Sequence, residues 1–248
     1  TGIDDNADAV AITIDSSENV GIGMTTPSSQ YVTRLVVGDG SGTEGITIYS
    51  GNDSMGRLEF SDATSGDGRY AGGIVYEHNN NALRFNTNGG NERMRIDENG
   101  HITSGTQPAF SAYLGGNQND IAANNSFITV NFDTEIFDQN ADFNTSTYTF
   151  TAPVTGRYQF NSSISLNNLD SSSNYAFISL VTSNRNYYNY IGANHMDQDD
   201  RVLLPICILA DLDASDTALI KILINTGTAQ ADIATGGFVS NFQGYLVC

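Results

Sequence analysis

Arg157-Tyr-Gln-Phe-Asn-Ser-Ser-Ile-Ser-Leu166 decides the fold. Tyr158, Phe160, Ile164 and Leu166 fall on one side of an extended chain, and Arg157, Gln159, Asn161, Ser163 and Ser165 on the other. A period of two held over ten residues predicts a β-strand with one face in a core. Ile128, Val130 and Phe132 alternate in the same way, as do Tyr148, Phe150 and Ala152. Other runs, at 175–181, 202–210 and 218–224, are apolar on both faces. A strand in a two-layer sandwich turns only one face to its core, so the second apolar face calls for another subunit. No twelve-residue window has a 3.6-residue apolar period, and essentially no helix is expected.

Composition agrees with an all-β chain. Gly, Asn, Ser, Thr and Asp are abundant, Tyr and Phe occur twelve times each, Lys occurs once and Trp is absent. This mixture suits short strands joined by tight turns. With 28 acidic against 10 basic residues the net charge is −18, which repels nucleic acid and anionic membrane surfaces. No run of eighteen apolar residues exists, so no membrane insertion is expected, and there is no signal-peptide pattern. Thr1 rather than Met opens the sequence, as expected of a processed or truncated piece of a longer chain. Cys207 and Cys248 make no disulfide framework and are expected to be buried or inert thiols.

The chain reads as two parts, residues 1–107 and 108–248. The first is glycine-rich, with short runs at 10–14, 45–49, 57–60, 73–76 and 82–85; His78-Asn-Asn-Asn81 reads as a hairpin turn between the last two. It also repeats itself. Ile14-Asp15, Val20 and Gly23 recur as Ile96-Asp97, Ile102 and Gly105, at a constant offset of 82 residues. A strand–Asp–turn–strand unit used twice suggests a repetitive, elongated stem rather than an enzyme core. Gly21-Ile-Gly23 is expected to be a turn, since no helix follows to make it a dinucleotide fingerprint.

The second part resembles the globular head of complement subcomponent q, a tumour-necrosis-factor-like jelly roll. The resemblance is carried by Pro108-Ala-Phe-Ser-Ala112, Phe143, Phe150-Thr-Ala-Pro153, Gly156-Arg-Tyr-Gln-Phe160 and Phe242-Gln-Gly-Tyr-Leu246. It implies a ten-stranded sandwich, a compact trimer and ligand recognition, with calcium in some members. This sequence departs from the family's Gly-Asp turn, having Ser215-Asp216. The first part resembles stem modules of bacteriophage tail fibres, especially of marine phages, at Asn19-Val-Gly-Ile-Gly-Met-Thr-Thr-Pro27, at 73–85 and at Arg93-Met-Arg-Ile-Asp-Glu-Asn-Gly100. Together they imply a virion fibre: a repetitive β-rich stem followed by a trimeric jelly-roll head that recognises a host cell-surface glycan or protein. Other virion proteins would be met through the N-terminal end. The alternatives are a purely structural virion fibre or decoration protein, or a secreted bacterial adhesin.

No motif for catalysis is present, and abundant carboxylates make any one pair uninformative. His78 and His101 are read as solvated or structural. Tyr187, Tyr188, Asn189 and Tyr190 are the receptor-binding candidates, because flat amphipathic rings beside an amide suit sugars and protein interfaces; the competing reading is packing on the sandwich. No cofactor is required. Asp197, Asp199 and Asp200, after His195-Met, are the candidate calcium ligands, and Asp211, Asp213 and Asp216 form a second acidic cluster. The strands apolar on both faces call for subunit partners and the resemblance implies a threefold: light scattering at micromolar concentration should give the mass of three chains, and a single-chain mass would refute it.

Overall fold

The computed structural model describes residues 11–31, 34–169, 172–192, 201–225, 230–235 and 239–248. The chain divides into two compact units, Thr1–Thr103 and Ser104–Cys248. Strands dominate both. Among the described residues the helical segments are short 3-10 turns at Pro27–Ser29 and Gly66–Tyr70.

In the N-terminal unit, β1 (Ile12–Ile14), β2 (Val20–Ile22) and β3 (Leu35–Val37) form a three-stranded sheet. A five-stranded meander follows: β4 (Met55–Phe60), β5 (Gly72–Glu77), β6 (Ala82–Thr87), β7 (Asn91–Ile96) and β8 (Ile102–Thr103). The turns β1–β2 and β7–β8 are the sequence repeat made physical. Asp15 Oδ1 accepts from Ser17 N and Asn19 N, and Asp97 Oδ1 accepts from Asn99 N and His101 N, all at 2.9–3.0 Å. The other carboxylate oxygen meets the Asn19 amide in one turn and His101 Nδ1 in its counterpart. Glu18 and Gly100, 82 residues apart, both take positive φ, at 64° and 83°. These side-chain and backbone contacts pull both aspartates below the ordinary carboxylate range.

The meander is two-faced. Leu58, Ile74, Phe85 and Met94 form one cross-strand row, and Tyr76, Leu83, Ile96 and Ile102 the next. Leu58, Ile74, Tyr76 and Ile102 are exposed. The opposite face holds buried Glu77 against Arg84 and Arg95, with Glu92 also on Arg95 at 2.9 Å. Burial pushes the Glu77 carboxyl up, but hydrogen bonds from Asn80, Arg84 and Arg95 outweigh it and hold it low. Two expectations for this unit fail. Residues 45–49 form no strand: Ile46, Ile48 and Tyr49 are exposed, and no strand among the described residues pairs with them to satisfy an extended backbone. Gly21-Ile-Gly23 is not simply a turn. Gly21 is buried in β2, and only Gly23, at φ 73°, ends the strand.

The C-terminal unit is a sandwich. Its strands are β9 (Ala109–Tyr113), β10 (Gln118–Ala122), β11 (Ile128–Thr129), β12 (Thr134–Asp138), β13 (Phe143–Asn144), β14 (Thr149–Thr151), β15 (Gly156–Asn167), β16 (Tyr175–Thr182), β17 (Asn186–Gly192), β18 (Val202–Leu212), β19 (Thr217–Asn225), β20 (Gln230–Ile233) and β21 (Asn241–Leu246). One sheet runs β10-β20-β15-β21-β9-β12 with β18 on the free side of β15; the other runs β13-β14-β19-β16-β17 with β11 on β19. β20 and β21 share the neighbour β15, β11 and β14 share β19, and β10 and β9 pair in turn with β20 and β21, so thirteen segments fill the ten expected positions.

The core is organised by aromatic rings. Phe110 lies 4.8 Å from Phe143, 5.1 Å from Phe150 and 5.0 Å from Phe242, and Phe160 lies 5.7 Å from Phe242. Gly244 faces this cluster: a Cβ there would stand 2.6 Å from Phe160 and 2.9 Å from Phe110. Fully buried Tyr158 donates its hydroxyl to Val154 O at 2.7 Å, which satisfies the one polar atom on that ring. Ser215 occupies the glycine position of the family's turn at φ 77°, and the turn closes through Asp216 Oδ2 on Asp213 N and Asp216 N on Asp213 O. The cysteines correct the expectation of burial: both are exposed, because Cys207 sits at an outward position of β18 and Cys248 lies beyond the end of β21.

Substitution of Gly244 by Ala should destabilise the C-terminal unit by about 1–3 kcal/mol through overpacking against rings that cannot withdraw. Ser215→Gly should stabilise it by about 1 kcal/mol by relieving the left-handed backbone. Denaturant melts of the two variants check both signs; a neutral Gly244→Ala would refute the ring constraint.

Candidate functional site

The candidate tyrosines lie within β17, the edge strand of the six-stranded sheet, and alternation divides them. Tyr187 turns inward and packs against the core cluster. Asn189 donates Nδ2 to Pro205 O at 2.7 Å, tying β17 to β18 across the open edge of the sandwich. Tyr188 and Tyr190 point outward, 52% and 64% exposed. Packing thus accounts for Tyr187, and the interstrand tie for Asn189. Tyr188 and Tyr190 remain available for contact.

The outward pair does not stand alone. β16 pairs with β17 so that Phe177 faces Tyr190 and Ser179 faces Tyr188. On its other side β16 pairs with β19, setting Leu223 beside Phe177 and Lys221 beside Ser179. Phe177 lies 5.5 Å from Tyr190 and 6.1 Å from Tyr188, Tyr175 lies 5.1 Å from Phe177, and Phe127 reaches Tyr188 at 5.9 Å. Asn125, Phe127, Tyr175, Phe177, Tyr188 and Leu223 enclose a shallow depression of about 290 Å³ on the outer face. Sequence reasoning missed Phe127, Tyr175, Phe177 and Leu223. Alternation in 175–181 marked a second apolar face, but which rings meet depends on register with distant strands.

Asp197, Asp199 and Asp200, with His195, lie outside the described residues. The second acidic cluster does not converge: Asp211 pairs with Arg185 at 3.0 Å while Asp213 and Asp216 close their own turn. No group of three His, Cys, Asp or Glu side chains among the described residues could hold a metal ion. A larger depression of about 580 Å³ lies beside Phe143 and Pro153. Its sole ionisable lining group is Asp142, whose carboxyl is pushed up by burial, and a lone carboxyl offers no acid–base pair.

One family profile, the C1q domain, matches residues 109–247, the span that forms the sandwich and its aromatic core. The chain belongs to the C1q domain family. Domains of this family form homotrimers and serve as receptor-binding or structural modules, generally without enzymatic activity. No curated protein matches the chain. Among solved structures, the globular domain of zebrafish complement 1qA is 18% identical and covers 57% of this chain and 98% of its own, with a TM-score of 0.41. Murine APRIL at pH 8.5 is 10% identical and covers 57% of this chain and 99% of its own, also at 0.41.

The two roles within β17 of the C1q domain are separable by stability. Tyr187→Ala should cost about 2 kcal/mol or more, as truncation of a ring packed on a core does. Tyr188→Ala and Tyr190→Ala should each cost less than about 1 kcal/mol, since their rings are mostly in solvent. Thermal melts that rank Tyr188 above Tyr187 would overturn this division.

Proposed function

We propose that this protein is a non-enzymatic virion fibre tip, trimeric through its C1q domain, that recognises a host cell-surface glycan or protein. The observation that carries the reading is the outward ring cluster in which half-buried Tyr175 and Phe177 join exposed Phe127 and Tyr188 around a depression, with exposed Tyr190 tilted against Phe177 beside it, on a domain of a receptor-binding family. Flat rings with polar tips give contact area at low entropic cost and are enriched where proteins bind sugars and partners. Three copies about one axis would turn a weak contact into useful avidity.

The placement on a virion is supported by the N-terminal unit. Its repeated Asp turns and short strands match the tail-fibre-like stretches of the sequence, and its meander exposes an apolar face that copies of the chain could cover. The subunit contact in the C1q domain is assigned to the outer face of the seven-stranded sheet. Leu203, Pro205, Cys207 and Leu209 form an exposed stripe on β18, and Tyr245 and Val247 are exposed on the same face. Between them β15 presents uncharged Gln159, Asn161 and Ser163, with Arg157 opposite Asp211 at the end of the row. The calcium ligands Asp197, Asp199 and Asp200 remain a proposal beside this one, tested by melting with and without chelator.

Fluorescently labelled protein should decorate some strains in a panel of marine bacteria, and a Tyr188→Ala/Tyr190→Ala double variant should lose that binding while keeping its trimer mass. Decoration that survives the double variant would reject the site. An absence of decoration on every strain would favour a purely structural fibre.

A further inference from the structure

The strands of the six-stranded sheet, β11, β13, β14, β16, β17 and β19, contain no Asp or Glu, although the chain carries 28. Their single charge is Lys221, which is also the chain's single lysine. Alternation places it outward: Ile220 and Ile222 on either side are fully buried in the core, while Lys221 is half-buried on the outer surface. Its backbone joins the ladder to β16 and β11, and its ammonium has no hydrogen bond or ion pair to any described residue. It is two residues along β19 from Leu223, which lines the aromatic depression, and shares a cross-strand row with Ser179 and Tyr188. Ser179, between them, is fully buried and its hydroxyl has no hydrogen-bond partner.

From this arrangement we infer that the ring cluster and Lys221 together form a subsite for a saccharide bearing a carboxylate, such as a hexuronic acid. This deepens the recognition role proposed above and depends on it. The aromatic floor of Phe177, Tyr188 and Phe127 suits the apolar face of a pyranose ring. Asn125, whose Oδ1 accepts from the Asn225 amide at 3.0 Å, lines the same depression with an amide suited to ring hydroxyls. Lys221 supplies the cation for the carboxylate, and with no acidic side chain on these strands nothing there competes for it or repels the ligand. On a chain of net charge −18, strands without an acid and with one cation that no described residue pairs are complementary to an anion and wasteful for a neutral sugar. A face built only for subunit contact has no use for an ammonium that no described residue pairs, whose desolvation would oppose association.

The test uses the full chain and two probes, a glucuronosyl disaccharide and the glucosyl disaccharide of the same linkage, titrated by calorimetry or ligand-observed NMR. The acidic probe should bind about tenfold more tightly, the scale of one charge-assisted contact. Lys221→Gln should abolish that preference and leave the neutral probe unchanged, while Lys221→Arg should retain it. Equal affinity for the two probes, no binding of either, or a preference that survives Lys221→Gln overturns the inference. So does a change of oligomeric mass in Lys221→Gln, which would make this face a subunit contact. Cell decoration that depends on Tyr188 but not on Lys221 would overturn the acidic-sugar subsite alone and leave the recognition role standing. Loss of both dependences removes the two together.

Discussion

The C1q domain depends on one steric bargain, the packing of aromatic rings over a strand that must be bare beneath them. Phe110, Phe160 and Phe242 come from β9, β15 and β21, which are neighbours in one sheet, and Phe143 and Phe150 come from the opposite sheet. Rings this large can meet across the sandwich only if the central strand gives way, and Gly244 is where it does. Gly156 plays the same part at the end of β15: a Cβ there would lie 2.7 Å from the carbonyl of Cys248, whose oxygen instead accepts from Arg157 N. The last strand is thereby fixed against β15, and its fixed position carries β9 and β12 with it. Dense packing of this kind transmits small volume changes, which is why the glycines matter as much as the rings.

Charge is distributed to match. Carboxylates cluster in turns and at strand ends, where they cap backbone N–H groups: Asp138 receives Asp142 N and Phe143 N, Asp133 receives Gly115 N, and Asp232 receives Asp120 N. The outward faces of the sandwich are left largely uncharged. One of them, over β15 and β18, is aliphatic and flat-sided, suited to a copy of the same chain. The other, over β16, β17 and β19, is aromatic with a single cation. A chain of net charge −18 whose six-stranded sheet carries no acid on its strands has a chemical reason to use that surface.

The N-terminal unit obeys a different rule. Its strands are short, and local turns do much of the specifying. In each repeat one aspartate closes its turn by holding two backbone N–H groups, a contact that needs only residues within five positions of one another. Such motifs form from local sequence regardless of partners. The sheet they support still presents an apolar face, because a single layer has no second layer to cover it.

The division between what was legible in the sequence and what was not follows from range. The Asp repeat, the hairpin at 78–81, the alternation in 157–166 and the aromatic spacing of the head could all be read directly, because each depends on local turn chemistry or on a period of two. Where the reading failed, a distant partner decided the outcome. Residues 45–49 alternate like a strand but pair with no strand among the described residues, and Cys207 lies in an apolar strand whose outward side happens to be its own. The candidate site shows the same limit. Sequence could nominate Tyr187 to Tyr190 as a group, yet only pairing with β16 and β18 sends Tyr187 to the core, Asn189 to Pro205 and Tyr188 and Tyr190 to the surface. Only the register of β19 against β16 sets Lys221 and Leu223 beside them. Composition and periodicity determined that this chain would be β-rich, with rings to bury and faces to spare. Tertiary structure alone decided which rings meet, because cross-strand neighbours are chosen by hydrogen-bond register between segments far apart in the chain, and a shift of one residue would turn every side chain to the other face.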